Sequence, residues 1–400
     1  MAISFDLNTI KDINTVIKDN DDKNAQLLKV LHKYWQQRGQ TYKILKYDKE
    51  FLTLDRTSTV GLVRSVITKN DSILSYSPPK SLPIDIFKNM YNINECIGQE
   101  IIEGTMINVF FDKDLEEEGD WEIATRSTIG GNVCFYRDGP YDKTKSFRYM
   151  FLDVCEKVGL DFDMLPKEYS YSFVFQHPNN RIVVPFNECN LYLIAVYEIK
   201  DMVINVIPSE NILAHIKNTR IRLPETVELS SYDKLIDMMY NYDDYKRVGI
   251  MVHHKISGAR TKIKNSAYEE VKKLRGTNPK LQYQYLELRK LNKIDPYLYF
   301  FPENSNLFSI YREQLYEFTH NLHANYLKCY VKKNAQLNTF PHKYKNHMFI
   351  LHKQYLNNPT EIITFRRVKE YVNNLPSAQL MYSLNYHLRQ HNNHSDNDDN

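Results

Sequence analysis

The apolar and polar positions in the first two thirds of the chain follow the pattern of short strands. Between residues 41 and 208, runs of β-branched and aromatic residues recur between turn-forming Asp, Asn, Gly and Pro. The runs are TYKILKYD, GLVRSVITK, SILSYS, TMINVFFD, WEIATRST, YSFVFQ, RIVVPF, LYLIAVYEI and MVINVIP. A last strand-like stretch lies in RVGIMVHHKISGARTKIKN. Short strands at this density predict antiparallel sheets.

Helical spacing of apolar residues predicts helices on both sides of this region. The segment 24–37 has leucines and aromatic residues at helical spacing, and Gly39 then interrupts the pattern, so we expect a helix there. From Ser266 onward the spacing is helical again, most clearly in 307–331 and 363–375. The sequence therefore predicts an α+β fold.

The change of pattern also predicts the domain boundaries. We expect a domain of antiparallel sheets over residues 1–265 and an all-helical domain of about five helices over 266–390. Residues 391–400 contain no large apolar side chain, so burial cannot offset the entropy of ordering them. We expect a disordered tail there.

The composition excludes several classes of protein. The net charge is +3, with 52 basic against 49 acidic residues, so a nucleic-acid partner must be sought in local patches. Asp6 and Asp12 interrupt the N-terminus where a signal peptide needs an apolar run, and no apolar stretch is long enough to span a bilayer. The cysteines form no CxxC pair, which predicts reduced thiols and a cytoplasmic protein. They are Cys96, Cys134, Cys155, Cys189 and Cys329.

Several short segments resemble the motifs of one enzyme family. The run PNNRIVVPF followed by LYLIAVYEI resembles a block of the bacteriophage-type RNA ligases of tRNA repair, which are covalent nucleotidyltransferases. Residues 63–67 and 77–80 are similar to that family's phosphate-contacting segments, and 262–264 is similar to its paired-lysine motif. The similarity runs in the family's order over about residues 40–275. It implies a nucleotidyltransferase-like domain whose antiparallel sheets enclose a cleft.

The resemblance also implies a set of residues that bind a nucleotide or phosphate. Lysines and arginines suit this role because they neutralise phosphate charge, and arginine adds a forked donor. Each of these side chains could equally serve the fold as a turn or exposed-strand residue. The set is Arg64, Lys80, Glu103, Arg126, Lys262 and Lys264.

The chain departs from the family at the positions that perform chemistry. The family's nucleophilic lysine stands three residues before a glycine, and that position is Ile101, before Gly104. An isoleucine cannot form a phosphoramidate. The two metal-placing glutamates are replaced by Val174 and Val248, so Mg²⁺ is not expected. Lys80 is the remote candidate for a relocated nucleophile.

Three hypotheses follow for the function. The first is a catalytically degenerate RNA-ligase-like protein that binds ATP, another nucleotide or an RNA end through a basic cleft. The second is an active, divergent ATP-dependent RNA ligase or other nucleotidyltransferase. The third is a structural or scaffolding protein that reuses the fold. The resemblance and the Asn-, Lys- and Ile-rich composition are compatible with a large DNA virus as the source, which would place the protein in host cytoplasm or virion. His177, a lone histidine in a turn, is expected to be structural.

Overall fold

A computed structural model describes residues 3–18, 27–135 and 142–386. The tail expected at 391–400 lies outside the described residues. Every strand ladder in the described residues is antiparallel, and the C-terminal part is helical. The predicted α+β class, with antiparallel sheets and a C-terminal helical region, is confirmed.

The strands form three sheets. The first has the order β1-β11-β10-β9-β7-β8, the second β12-β6-β13-β14, and the third β2-β3-β4-β5. The strands described are β1 Ser4–Asp6, β2 Leu28–Trp35, β3 Gln40–Tyr47, β4 Val66–Lys69, β5 Ser72–Tyr76, β6 Cys96–Glu100, β7 Thr105–Asp112, β8 Asp120–Ala124, β9 Tyr169–Gln176, β10 Asn190–Lys200, β11 Val203–Ile207, β12 Thr226–Val227, β13 Gly249–His254 and β14 Arg260–Lys264.

The helices lie mostly after the last strand. Seven α-helices lie between Ser266 and Leu384, where about five were expected, and a π-helical turn, Leu327–Val331, follows α9. The helices described are α1 Ile13–Lys18, α2 Ile84–Met90, α3 Phe147–Val158, α4 Glu210–Leu213, α5 Tyr232–Tyr240, α6 Ser266–Arg275, α7 Leu281–Lys290, α8 Ile294–Phe300, α9 Ser305–Tyr326, α10 His342–Asn357, α11 Phe365–Asn374 and α12 Ser377–Leu384.

The chain divides into two compact units. Within the described residues, the first unit contains all the strands and ends at Lys272, and the second runs from Lys273 to the end of the described part. The division falls inside α6. Across the described ranges, no helix has both the length and the apolar character needed to cross a bilayer.

The core of the first unit follows from the period-two alternation of its strands. Side chains such as Val109, Phe173 and Leu193 lie on one face of the six-stranded sheet and are fully buried. The helix α3 covers this face with Phe151 and Val154, which belong to the same core. This core supports the start of β7 and the end of β9, which pair beside Gly104 and Val174 of the candidate site.

The predicted helix over 24–37 is wrong, because residues 28–35 form β2. This strand pairs with β3 from Leu28 opposite Tyr47 to Trp35 opposite Gln40. Only Leu28 and Trp35 are buried along β2. The helical spacing of its apolar residues therefore does not correspond to the residues that the structure buries. The indole N–H of Trp35 donates to Glu122 Oε2 at 2.7 Å, which anchors the strand end in the interior. Tertiary pairing overrides the local pattern here.

The predicted strand RIVVPF, residues 181–186, is also wrong. These residues form bends without a sheet partner. The carboxylate of Glu103 accepts the backbone N–H groups of Val183 and Val184, at 2.5 and 3.0 Å. These donors would otherwise be available to a ladder, and Pro185 has none. A buried side chain therefore replaces a neighbouring strand as the hydrogen-bond partner.

Candidate functional site

Motif positions on three neighbouring strands lie on one face of the second sheet. Successive side chains alternate between the faces of a strand, and the register of β6, β13 and β14 aligns them in three rows. Ile101, just past β6, joins the first row because its N–H donates to the Gly249 carbonyl oxygen at 3.0 Å. The rows are Ile101-Gly249-Lys264, Gln99-Met251-Lys262 and Ile97-His253-Arg260.

The opposite face of this sheet is apolar and explains why the rows are held in place. Ile250, Val252 and Ile263 are buried there and pack in one core with Phe87 of α2 and Leu235 of α5. A shift of register by one residue would turn these apolar side chains toward the rows and expose them. The core therefore specifies which residues face the site.

The three positions at which the family keeps its lysine and glutamates lie close together. Ile101 and Val248 line one cavity of about 400 Å³, and Glu103 lines it as well. Gly104 follows Glu103 in the chain, and Val174 lies beside it. A Cβ placed on Gly104 would come within 2.8 Å of Val174 Cγ1. Gly104 has φ +145°, a conformation that favours glycine. The sequence positions matched by motif order are thus neighbours in space.

The wall of this cavity carries no excess of positive charge. Glu100, Glu225 and Asp244 line it together with Lys246 and Arg247. Glu103 is buried, and its carboxylate is engaged by the backbone of the 183–184 bend. An anion is therefore not favoured inside the cavity, and Glu103 serves the fold at this point.

Basic side chains accumulate on the Lys264 side of the rows, outside the cavity. We call them the cationic cluster. The structure brings together in it five of the sequence-predicted residues and one further arginine. Its members are Arg64, Lys80, Arg126, Arg260, Lys262 and Lys264.

Two lysines of the cationic cluster, Lys80 and Lys262, are destabilised as cations. Burial lowers the pKa of Lys262 to about 8, and repulsion by Arg260, Arg64 and Lys264 adds to this effect. Burial also lowers the pKa of Lys80, and Arg64, Arg260 and Lys264 again contribute repulsion. These mutual effects place the side chains within electrostatic reach of one another.

Arg260 of the cationic cluster is held by the fold, and burial acts on both Arg260 and Arg64. The guanidinium of Arg260 is 6% exposed and donates through Nε to the Pro79 carbonyl oxygen at 2.9 Å. Burial lowers the pKa of Arg260 to about 10, and burial likewise lowers the pKa of Arg64, which Arg126 also repels. Arg126 lies nearby because its carbonyl oxygen accepts a hydrogen bond from Ser65 Oγ at 3.1 Å.

Two loops position the remaining members. The N–H of Lys80 donates to the Gly61 carbonyl oxygen at 2.9 Å, and the N–H of Ser77 donates to the Ser65 carbonyl oxygen at 3.0 Å. These bonds hold the loop 77–80 beside the loop 60–65, which carries Arg64. Lys46 of β3 lies close to the cationic cluster without belonging to it, and its pKa is lowered by burial and by Arg126.

The cationic cluster has almost no compensating negative charge among the described residues. Its one ion pair within the described ranges joins Lys264 Nζ to Glu269 Oε2 at 2.9 Å. The side chains of Arg64, Arg126 and Lys262 form neither a hydrogen bond nor an ion pair with any described residue. Arg126 is exposed, but Arg64 and Lys262 are half-buried. Half-buried cations without partners carry a desolvation cost, so this surface favours binding of an anion.

Arg260 is the member that the motif comparison missed. It stands two residues before Lys262 on the same strand, and alternation places both on one face. The pattern Arg260-x-Lys262-x-Lys264 therefore contained the signal. Lys46 had no such signal, because it approaches the cationic cluster only through the packing of β3.

A second group of side chains has the geometry of a metal site but the hydrogen bonding of a structural one. Ligand atoms of Asp153, His177 and Cys189 lie within 4.8 Å of one another. The N–H of Asn179 donates to His177 Nδ1 at 3.0 Å, so the ring proton is on Nε2, which lies 3.1 Å from Asp153 Oδ2. A protonated Nε2 cannot bind a metal, and Lys157 already pairs with Asp153 at 2.7 Å.

Comparison with known proteins gives a partial likeness to RNA ligases. No protein-family model matches the chain. An RNA ligase from Rhodothermus phage RM378 is 31% identical over 101 residues, which are 24% of this chain and 22% of that protein. The match thus spans less than a quarter of the curated relative's length.

Solved structures give only distant likenesses. An archaeal ATP-dependent RNA ligase has a TM-score of 0.38 at 11% identity, covering 64% of this chain and 62% of that one. A putative ATP-dependent DNA ligase from Aquifex aeolicus has a TM-score of 0.39 at 12% identity, covering 84% and 79%. A mutant RNA ligase from Naegleria gruberi, with ATP and Mn, has a TM-score of 0.35 at 12% identity, covering 63% and 82%. At these scores no residue's role can be carried over.

Proposed function

We propose that the protein is an RNA-ligase-like binding protein that holds the phosphates of a nucleotide or of an RNA end on the cationic cluster. The observation that carries the proposal is that Arg260 is buried, that Arg64 and Lys262 are half-buried, and that none of the three has a carboxylate partner in the described residues. A phosphate would supply the missing charge and accept the free N–H groups of the arginines. The partial likeness to a phage RNA ligase supports the same ligand class.

The replaced motif positions support binding without nucleotidyl transfer. Ile101 stands in the row that ends at Lys264, so a phosphate over the cationic cluster would lie beside an aliphatic side chain. Val174 and Val248 offer no oxygen ligands for the divalent metal that assists phosphoryl transfer. Replacing all three charged groups avoids leaving one of them as an unpaired buried charge.

Equilibrium dialysis at low ionic strength tests the proposal. The ligands are ATP and a short RNA with either a 5′-phosphate or a 5′-hydroxyl group. We expect ATP and the 5′-phosphorylated RNA to bind, and Lys262→Met or Arg64→Met to weaken binding about tenfold or more, because a hydrogen bond to a charged group is lost. Lys113→Met is the matched control, since Lys113 is exposed and has no side-chain partner among the described residues.

The results that contradict the proposal are equally definite. Absence of binding to all three ligands would exclude it. Equal effects of Lys262→Met and Lys113→Met would show that general charge, not the cationic cluster, attracts the ligand. Added salt is expected to weaken RNA binding steeply, because the phosphate contacts release counterions.

An active enzyme is the second candidate, and one observation favours it. A lysine nucleophile needs a lowered pKa, and burial lowers the pKa of Lys262 to about 8 and lowers that of Lys80. This candidate predicts a covalent protein–nucleotide adduct that Lys262→Met or Lys80→Met abolishes. Our proposal predicts no adduct on any of these proteins.

A further inference from the structure

The helical unit contains a cavity that is independent of the cationic cluster. It has a volume of about 570 Å³, within the range of small-molecule sites. Its wall is formed by α7, α8 and α9 and carries two arginines, Arg289 and Arg312. Apolar side chains such as Leu298 and Phe308 complete it, so it offers both charged and apolar surface.

Arg289 is incompletely satisfied in this wall. Its Nη1 donates to Asn373 Oδ1 of α11, which fixes the side chain across two helices. Its Nε and Nη2 are buried and have no hydrogen-bond partner among the described residues. Orphaned guanidinium N–H groups are costly, because each has lost water and gained no acceptor. Both donors are closed to solvent, so Arg289 contributes its positive charge to the cavity wall and does not present these two N–H groups.

Arg312 is the second arginine of the cavity wall and adds a further positive charge to it. Arg312 is exposed and reaches the cavity from α9, where its Nη2 lies 3.5 Å from Ser309 Oγ. Burial raises the pKa of Tyr285, while Arg289 and Arg312 both act to lower it, so both guanidinium groups lie within electrostatic reach of one phenol. Tyr285 itself is buried and packs edge-on against Phe308, with ring centroids 5.2 Å apart.

One carboxylate also lines the cavity, and it does not neutralise these arginines. Asp295 belongs to the first turn of α8 and forms no ion pair with Arg289 or Arg312 in the described residues. The wall therefore retains a net positive charge, with hydroxyl groups of Ser305 and Ser309 beside it.

We propose that this cavity is a second anion site, which binds the phosphate group of a small phosphorylated molecule through Arg289 and Arg312. Arg312 is exposed and can donate N–H groups to phosphate oxygens, and Arg289 contributes a further positive charge beside them. The volume exceeds that of inorganic phosphate alone, so the apolar wall accommodates the organic part of the ligand. The proposal does not depend on the function of the cationic cluster.

Isothermal titration of the full chain tests this site. The background is the double variant Arg64→Met/Lys262→Met, which removes anion binding in the first unit. The probes are inorganic phosphate and ribose 5-phosphate. We expect one site in this background, with ribose 5-phosphate binding more tightly than inorganic phosphate. Adding Arg289→Met should weaken binding about tenfold or more.

Arg312→Gln keeps the test decisive if Arg289→Met perturbs folding, because Arg312 is exposed and, among the described residues, hydrogen-bonds only to Ser309. We expect Arg312→Gln to weaken binding by about tenfold, and Arg366→Gln, an exposed arginine on α11, to leave it unchanged. Absence of binding in the background protein would overturn the proposal. Binding that survives both Arg289→Met and Arg312→Gln would also overturn it.

Discussion

Substituting Lys262 by methionine should stabilise the free protein near neutral pH. Lowering the pKa of this lysine from 10.5 to about 8 disfavours its protonated form in the folded state by about 3 kcal/mol. Methionine has a similar length and no charge, so it removes this cost. We therefore expect Lys262→Met to raise the free energy of unfolding at pH 7 by up to about 3 kcal/mol.

The pH dependence gives the sign of the effect. Because the folded-state pKa of Lys262 is below its unfolded value, the unfolded chain binds more protons between about pH 8 and 10.5. The wild-type protein should therefore gain stability relative to Lys262→Met as the pH rises through this window. The pH-dependent part of the stability difference between the two proteins should have its full size below about pH 8 and should vanish above about pH 10.5.

Denaturant titration followed by tryptophan fluorescence measures this difference. Both tryptophans, Trp35 and Trp121, lie in the first unit, so their emission reports the unit that contains Lys262. Amine-free, phosphate-free buffers at pH 7 and pH 10 are compared, with Lys113→Met as the control. Added pyrophosphate at pH 7 should stabilise wild type more than Lys262→Met. An equal stability difference at both pH values would refute the assignment of Lys262 as an uncompensated cation.

Two further substitutions test the backbone on which the site is built. Gly249→Ala should lower the free energy of unfolding by about 1–3 kcal/mol, because φ is +146° and a Cβ would collide with the Ile263 carbonyl oxygen; an unchanged denaturation midpoint would contradict this. Glu103→Ala should leave the N–H groups of Val183 and Val184 without their acceptor and increase protease cleavage in this bend, as mass spectrometry of limited digests would report, whereas an unchanged digest would contradict the anchoring role.

Strand periodicity allowed much of the site to be predicted. Once Lys262-Ile263-Lys264 is placed on a strand, alternation puts both lysines on the face opposite the core, and the structure has them there. The order of the motifs led to Ile101, Val174 and Val248, which the fold brings close together. Local sequence is informative here because the polar and apolar residues of Lys262-Ile263-Lys264 alternate as the two faces of the strand do.

The remaining features depend on contacts between residues far apart in sequence. The strand β2 was predicted as a helix because its partner, β3, supplies a hydrogen-bond ladder that local propensity does not encode. Arg260 is buried against the carbonyl oxygen of Pro79, 181 residues earlier, which no local pattern reveals. The orphaned donors of Arg289 likewise arise from the packing of α7 against α11.

The central claim is that the cationic cluster binds a nucleotide without joining it to a lysine. The most direct measurement is dialysis of the full chain against α-³²P-labelled ATP with Mg²⁺ or Mn²⁺, followed by denaturing electrophoresis of the same sample. We predict label retained by the native protein, reduced by Lys262→Met, and absent from the denatured band. Label that remains on the denatured chain would contradict the claim, as would native protein that retains none.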